Sequence, residues 1–207
     1  LDALKQIHFP DSKTLLDKAR FRLKFEELFY VQLKLLRSNL VRHQLVQGFV
    51  FNKVGDVFNT FYNHHLPFQL TNAQKRVVKE IRVDMGSGKQ MSRLVQGDVG
   101  SGKTLVALLS MLLAIDNGFQ ACLMASTEIL AKQPFDPLYA LQTPLGLNVA
   151  LLTGSSKTKA RRELHEGLEN GTVHILIGTH ALIEDAVVFR NLGLVVIDEQ
   201  HRFGVAQ

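Results

Sequence analysis

The sequence predicts an α/β fold, a parallel sheet covered by helices, with a helical segment in front of it. Between Asp11 and about His43 there is almost no Gly or Pro, and apolar residues recur at helical spacing. From Phe68 onward, short apolar runs alternate with helical stretches. This alternation is typical of parallel sheets, because a parallel strand reaches its neighbour only through a crossover connection. We therefore expect a helical linker segment over residues 1–66 and an α/β domain over residues 67–207.

The helical segment carries apolar residues at intervals of three, four and five positions. These are Leu15, Leu16, Ala19, Leu23, Leu28, Phe29, Leu33 and Leu36. Such spacing is typical of the apolar face of one helix or of two consecutive helices. Lysines and arginines lie between them, and both a solvated face and a DNA-facing surface remain open. Residues 52–67 mix polar and aromatic side chains, so we expect a connector with a short helix there.

The elements of the α/β domain are predicted from apolar runs and stop signals. Helices are predicted over Thr71–Asp84, Thr104–Asp116 and Ser156–Glu169. Strands are predicted over Arg93–Gln96, Phe119–Ala125, Leu147–Leu152, Val173–Ile177 and Leu192–Ile197. An Asn-Gly pair follows two of the helices, and these residues tolerate the left-handed conformation that ends a helix.

The composition excludes several classes of protein. Hydrophobic residues make up 46% of the 207 residues and charged residues 21%, which excludes a disordered, collagenous or disulfide-rich chain. The net charge of +5 permits a nucleic-acid partner without indicating one. The single Cys122 favours a reducing compartment. The longest apolar run, Leu105–Ile115, is shorter than the roughly 20 residues that span a bilayer. Because the chain begins at Leu1 and ends soon after an acidic pair, we expect a piece of a longer protein.

One loop has the spacing of a phosphate-binding loop, G-x-x-x-x-G-K-[ST]. Its residues are Gly97, Asp98, Val99, Gly100, Ser101, Gly102, Lys103 and Thr104. Glycines let backbone N–H groups turn toward phosphate oxygens, and the start of the following helix adds partial positive charge. We expect Lys103 to reach the β- and γ-phosphates of ATP and the Thr104 hydroxyl to bind Mg²⁺. A similar run, Gly86–Lys89, lacks the earlier glycine and the final Ser or Thr, so it is predicted to be a surface turn.

Two carboxylates follow the last predicted strand. Asp198 and Glu199 come directly after the apolar run Leu194–Ile197. In an open parallel sheet, ligands bind at the carboxyl ends of the strands. There Asp198 could hold Mg²⁺ and Glu199 could accept a proton from an attacking water. The alternative is a strand that simply ends in two solvated acids.

The run Asp198–His201, DEQH, is a DExH-type box, and with the phosphate loop it resembles the first RecA-like motor domain of superfamily 2 helicases. DEQHRFG and GDVGSGKT together are similar to the RecG family of ATP-dependent helicases of branched DNA. The early stretches Ile7–Pro10 and Phe25–Phe29 also resemble that family, where they link the fork-binding wedge domain to the motor. The resemblance therefore covers nearly the whole chain, and it implies a P-loop NTPase domain of RecA-like fold.

The resemblance assigns roles to residues outside the two nucleotide motifs. It implies that Phe68 and Gln74 contact adenine, with capping of a helix by Thr71 and Gln74 as the alternative. It implies DNA contacts for Thr127, Thr153, Gly154, Ser155, Thr179 and His180, for which helix capping, ordinary turns and a structural histidine are the alternatives. It implies that Gln200, His201 and Arg202 couple nucleotide to DNA. Catalysis would then rest on Lys103, Asp198 and Glu199.

The resemblance also implies an activity for the intact protein. This would be a bacterial, cytoplasmic helicase that uses ATP and Mg²⁺ to remodel forks and Holliday junctions, without a membrane partner. The wedge domain and the second RecA-like domain are absent from this sequence, so we expect residues 1–207 alone to bind nucleotide weakly and hydrolyse it negligibly. A transcription-repair coupling translocase and a nucleotide-dependent binding module are the alternatives. The chain has Ser126 where the family usually has Pro and Pro134 where it has His, and we expect Pro134 to interrupt a helix.

Overall fold

The computed structural model describes residues 2–156, 158–184 and 186–200. The chain forms two compact units, Leu1–Gln47 and Gly48–Gln207. The stretch that follows Gln47 packs within the second unit, where Phe51 and Phe61 belong to the buried core. The division between a linker over residues 1–66 and a motor over residues 67–207 stays a prediction.

The first unit is a pair of helices, α1 (Asp2–His8) and α2 (Lys13–Leu45), that pack against each other. Because α2 is continuous, the apolar repeat belongs to one helix rather than to two. Phe21, Phe25 and Phe29 lie one turn apart on α2, with ring centroids 6.3 and 5.9 Å apart, and all three are exposed. In the part of the chain that the structure describes, no helix is both long and apolar enough to cross a membrane.

The second unit is an α/β domain with a four-stranded sheet, which confirms the predicted fold class. The strands are β1 (Gln120–Met124), β2 (Val149–Leu152), β3 (Ile175–Gly178) and β4 (Leu192–Ile197). The helices are α3 (Asp56–Thr60), α4 (Asn72–Met85), α5 (Lys103–Asp116), α6 (Glu128–Ala140), α7 (Gln142–Leu145) and α8 (Thr158–Asn170), with a π-helical turn (Phe61–His65) and a 3₁₀ turn (His180–Ile183). The strand order is β2-β3-β1-β4, and every pairing is parallel.

Both faces of the central strands β1 and β3 are covered, whereas Val195 and Ile197 of the edge strand β4 are exposed. On β3, Ile175 and Ile177 join a large cluster to which α5, with Leu112, contributes, whereas Leu176 joins a smaller cluster with Leu168 of α8. Successive residues of a strand point to opposite faces, which explains why neighbours on β3 belong to different clusters. A strand buried on both faces needs an uninterrupted apolar run, and this is why the sequence pattern located β3 correctly.

The predicted strand over Arg93–Gln96 is wrong. Residues 91–98 have no regular secondary structure, and the Leu94 side chain is 69% exposed. Arg93 instead pairs with Glu80 and Asp84 on α4, each at 2.7 Å between nitrogen and carboxylate oxygen. These two ion pairs tie the segment to α4. The run Leu94-Val95 is also too short to specify a buried strand by itself.

The predicted interruption of a helix at Pro134 is also wrong. α6 continues from Glu128 to Ala140 through Pro134 and Pro137. Each proline removes a backbone donor and costs about 3 kcal/mol in a helix interior. The apolar face of α6 offsets this cost, because Ala131, Pro134 and Leu138 are buried and the helix packs on β2 and β3.

The carboxyl end of α5 holds the segment that precedes α4. The Asp116 carboxylate accepts hydrogen bonds from the N–H groups of Gly55, Val57 and Phe58 at 2.9, 3.1 and 3.0 Å, so it caps α3 from another helix. The neighbouring Asn117 side chain bonds both the N–H and the carbonyl of Lys53, at 2.9 and 2.8 Å. The carboxyl end of α5 is therefore hydrogen-bonded to residues 53–58 through the side chains of Asp116 and Asn117, a contact that we call the clamp.

We expect Asp116→Ala to lower the free energy of unfolding by about 2 kcal/mol, because three partly buried amides lose their acceptor. Urea denaturation of the variant and of Asp136→Ala, which replaces an exposed acid on α6, measures the effect. Equal urea midpoints for the two variants would show that the clamp does not stabilise the domain.

Candidate functional site

The phosphate loop leads directly into α5. Gly102 is the N-cap of this helix, and Gly100 and Gly102 both have φ of 80°, a left-handed conformation that favours glycine. The Lys103 ammonium donates to the carbonyls of Gly97 and Asp98 at 2.8 and 2.9 Å. Its positive charge therefore lies over the loop, where a phosphate group would meet it.

The direction of α5 places this loop near the carboxyl ends of the strands. α5 ends at Asp116, and a short turn leads into the start of β1, so the helix and the strand run in opposite directions. α5 packs on β1 and β4, and its 14 residues extend about 20 Å. Its first turn consequently lies toward the edge of the sheet at which β1 and β4 end.

The acidic pair lies at this same edge. The Asp198 N–H donates to the carbonyl of Met124 at 2.8 Å, which continues the β1–β4 pairing by one residue. The Asp198 carboxylate accepts the N–H of Glu199 at 3.0 Å. Glu199 has φ of 54°, and a left-handed conformation costs a residue with a side chain about 1–2 kcal/mol. Gln200 follows and is exposed, whereas His201 and Arg202 lie outside the described residues.

Gln74 connects α4 to the phosphate loop. Its side chain accepts the N–H of Thr71 at 2.9 Å, while the Thr71 hydroxyl accepts the N–H of Gln74 at 3.2 Å. The capping box considered as an alternative is therefore present. The same amide donates through Nε2 to the Ser101 carbonyl at 2.9 Å. Phe68 lies nearby in sequence and is exposed. Adenine contact by Phe68 and Gln74 stays a prediction.

The loops that follow β1, β2 and β3 lie side by side at the same edge, because the strands are parallel. After β1, the Thr127 hydroxyl caps α6 by accepting the Leu130 N–H at 3.3 Å. After β2, Thr153 is buried with 4% of its surface exposed. After β3, Thr179 is 1% exposed and its hydroxyl has no partner among the described residues, whereas His180 is exposed.

The turn after β2 is closed by its own side chains. The Thr153 N–H donates to the Ser156 hydroxyl at 3.0 Å, and the Ser156 N–H donates to the Thr153 carbonyl at 3.1 Å. Gly154 and Ser155 form the exposed tip of this turn. Capping by Thr127 and turn formation by Thr153 are thus both realised. DNA contact by these loops stays a prediction.

The donors predicted for Mg²⁺ suit this ion. The Thr104 hydroxyl is exposed at the start of α5, and Asp198 supplies a carboxylate. Mg²⁺ in nucleotide sites takes one or two protein oxygens and completes its shell with phosphate and water. Over the described ranges, no group of three or more His, Cys, Asp or Glu residues that could hold a metal ion is found.

Cys122 does not contribute chemistry to this edge of the sheet. Burial within β1 raises the pKa of the Cys122 thiol to about 12. Because the thiolate is the nucleophilic form, a thiol that stays protonated at neutral pH is inert. Cys122 therefore packs within β1 as a small apolar residue.

Sequence reasoning missed one residue of this region. Glu128 on α6 accepts hydrogen bonds from both the N–H and the hydroxyl of Ser155. The two residues are 27 positions apart, and no spacing rule joins them. An acid in the first turn of α6 is explained locally by the helix dipole, so the sequence offered no signal for the second contact.

A sequence model of DEAD/DEAH box helicases matches residues 71–207, about two thirds of the chain. The matched range contains both the phosphate loop and the acidic pair. Residues before position 71 lie outside it.

Curated relatives extend the similarity to nearly the whole chain. The chain is 51% identical over 205 residues to ATP-dependent DNA helicase RecG of Synechocystis sp., which covers 99% of this chain and 24% of the relative. It is 48% identical to RecG of Bacillus subtilis over 205 residues, 99% of this chain and 30% of that relative. It is 46% identical to RecG of Thermotoga maritima over 206 residues, which cover 100% of this chain and 26% of that relative. The chain thus spans between 24% and 30% of the length of these three relatives.

A solved structure shows the same fold. The chain superimposes on a structure of RecG bound to a three-way DNA junction with a TM-score of 0.85 and 45% sequence identity. The match covers 98% of this chain and 28% of that chain.

Proposed function

The chain belongs to the DEAD/DEAH box helicase family, and we therefore propose that it acts within an ATP-dependent DNA helicase that remodels branched DNA. The proposal rests on one observation: about half of the residues, over 99% of the chain, are identical to those of two RecG relatives. We propose that residues 67–207 serve as the first RecA-like motor domain of a longer enzyme and residues 1–66 as its linker to a wedge domain.

ATP would bind at the edge of the sheet where α5 begins and β4 ends. Lys103 would hold the β- and γ-phosphates of ATP, and Thr104 and Asp198 would hold Mg²⁺, which neutralises phosphate charge when bound. Glu199 would accept a proton from the attacking water. Phe68 and Gln74 would contact adenine, and the bond from Gln74 to the loop supports this placement.

DNA would bind to the neighbouring loops. The residues that would contact its backbone are Thr127, Thr153, Gly154, Ser155, Thr179 and His180. Parallel strands bring these loops together beside the proposed ATP site, which supports a motor that couples ATP hydrolysis to movement along DNA. The link between the ATP site and the DNA site would be formed by Gln200, His201 and Arg202, which follow the acidic pair in sequence.

The rest of the proposed enzyme would supply what these residues lack. A second RecA-like domain would bring an arginine finger, which contributes about 10³–10⁵ in rate in related phosphoryl-transfer enzymes. We therefore propose that the 207 residues alone hydrolyse ATP negligibly. Branched or duplex DNA would be the partner and the bacterial cytoplasm the location.

We expect the 207-residue chain to bind a fluorescently labelled model fork, with an affinity that falls steeply as salt rises. Each phosphate contact to duplex DNA contributes about −0.9 to the slope of log K against log salt, so contacts from several loops give a slope of several units. Fluorescence anisotropy at a series of salt concentrations measures the slope. Absence of DNA binding at low salt, with nucleotide binding intact, would instead support a nucleotide-dependent binding module.

A further inference from the structure

A single carboxylate joins two of the loops at the carboxyl edge of the sheet. Glu128, the first residue of α6, accepts the Ser155 N–H through Oε1 at 3.2 Å. Its Oε2 accepts the Ser155 hydroxyl at 3.0 Å. Glu128 follows β1 and Ser155 follows β2, and β3 lies between these strands in the sheet. The two hydrogen bonds therefore span the loop that follows β3.

The charge of Glu128 sets the direction of a chain of hydrogen bonds. The Ser155 hydroxyl also lies 3.0 Å from the Thr153 hydroxyl, a distance at which either could donate. An ionised carboxylate only accepts, so Ser155 donates to Glu128 and accepts from Thr153. The hydrogen bonds from Ser155 lower the pKa of Glu128 below its ordinary value, and a glutamate is already ionised at neutral pH at that ordinary value. One charge thus orders the hydroxyls of Ser155 and Thr153.

What the turn leaves exposed is a backbone donor. Gly154 lies at its exposed tip, and no acceptor among the described residues bonds the Gly154 N–H. Glycine has no side chain of its own to shield this N–H from a phosphate oxygen, and Glu128 Oε1 lies 3.7 Å from the place that a Cβ of Gly154 would occupy. The hydroxyls of Thr153 and Ser155 are already committed to the chain that ends at Glu128.

We propose that Glu128 is a positioning residue of the DNA interface, which holds the turn at residues 153–156 in a fixed relation to α6 so that the Gly154 N–H meets a backbone phosphate. The inference rests on the proposed function, since it assumes that this edge of the sheet binds DNA.

The expected change in DNA affinity on removing Glu128 is opposite to the change expected from charge alone. Removing a negative charge near DNA normally strengthens binding by reducing repulsion. Removing Glu128 should weaken it, because the turn loses its anchor.

The test compares Glu128→Ala and Glu128→Gln with Asp136→Asn. Asp136 is exposed on the same helix and its side chain makes no hydrogen bond or ion pair with a described residue, so its variant controls for the change in charge. We expect Glu128→Ala to raise the Kd for a labelled model fork about tenfold, as loss of two charge-assisted hydrogen bonds implies. Glu128→Gln keeps one acceptor oxygen and should raise the Kd by about threefold. Asp136→Asn should leave it unchanged or slightly lower.

A second readout needs no DNA. Hydrogen exchange of the Ser155 amide should accelerate in Glu128→Ala and stay unchanged in Asp136→Asn, while the urea midpoints confirm that all variants fold. Faster exchange together with DNA binding as tight as that of Asp136→Asn would overturn the inference and leave the proposed function intact. Unchanged exchange would also overturn it, because Glu128 would then not order the turn. Absence of DNA binding by the unmodified chain would overturn the proposed function and the inference together.

Discussion

Replacing Lys103 with alanine is expected to weaken binding of Mg²⁺–ATP by the 207-residue chain about a hundredfold. Lys103 is the single cation of the sequence from Gly97 to Thr104, and its ammonium already lies against two carbonyls of the loop. Charge-assisted hydrogen bonds contribute about 1.5–3 kcal/mol, and each 1.4 kcal/mol changes an affinity tenfold. Calorimetric titration or a fluorescent ATP analogue measures the loss.

The chain supplies its own matched control for this experiment. Lys89 ends the run Gly86–Lys89, which imitates the end of a phosphate loop but forms an exposed turn next to α4. Lys89→Ala removes the same side chain from a similar local sequence and should leave nucleotide affinity unchanged. Equal effects of the two substitutions would show that the loop at residues 97–104 does not hold the phosphates.

Replacing Glu199 with glutamine is expected to lower the turnover number of the proposed full-length enzyme by about 10²–10⁴, the usual contribution of a positioned general base. Glutamine keeps the shape and the hydrogen-bonding ability of the side chain but cannot take a proton from water. Affinity for Mg²⁺–ATP should change little, because Asp198 and Thr104 remain. Steady-state hydrolysis and nucleotide titration on the same preparation separate the two effects.

A suitable control for Glu199 is Glu169→Gln, which changes an exposed acid on α8. If Glu199→Gln hydrolysed ATP as fast as this control, the base would have to be another residue. If both rate and affinity fell together, Glu199 would serve binding rather than proton transfer.

Most of the fold could be predicted because the strands are continuous apolar runs, both the buried β3 and the partly exposed β4. β3 and β4 were predicted within two residues of their observed bounds, and Asn117-Gly118 marked the end of α5 correctly. The segment at Arg93 could not be predicted, because its conformation depends on ion pairs with Glu80 and Asp84 on another element. Propensity carries no information about such long-range pairs.

The candidate site likewise has features that the local sequence predicts and features that depend on contacts between distant residues. The phosphate loop is a local pattern in which the glycines, the lysine and the start of the helix lie within eight residues, so the sequence alone is enough to predict it. The contact between Glu128 and Ser155 and the clamp at Asp116 join residues that are 27 and about 60 positions apart. Pro134 shows the opposite case, in which a strong local rule was overridden by packing of α6 on the sheet. Tertiary contacts decided each of these three features.

The proposed function makes this chain part of a motor that uses ATP hydrolysis to remodel branched DNA. The most direct test measures hydrolysis by the proposed full-length enzyme without DNA, with linear duplex and with a model fork, and repeats it with Glu199→Gln. We expect the fork to stimulate hydrolysis most strongly and the stimulation to be lost in the variant. Equal rates in all three conditions would contradict the claim and leave a P-loop nucleotidase or switch.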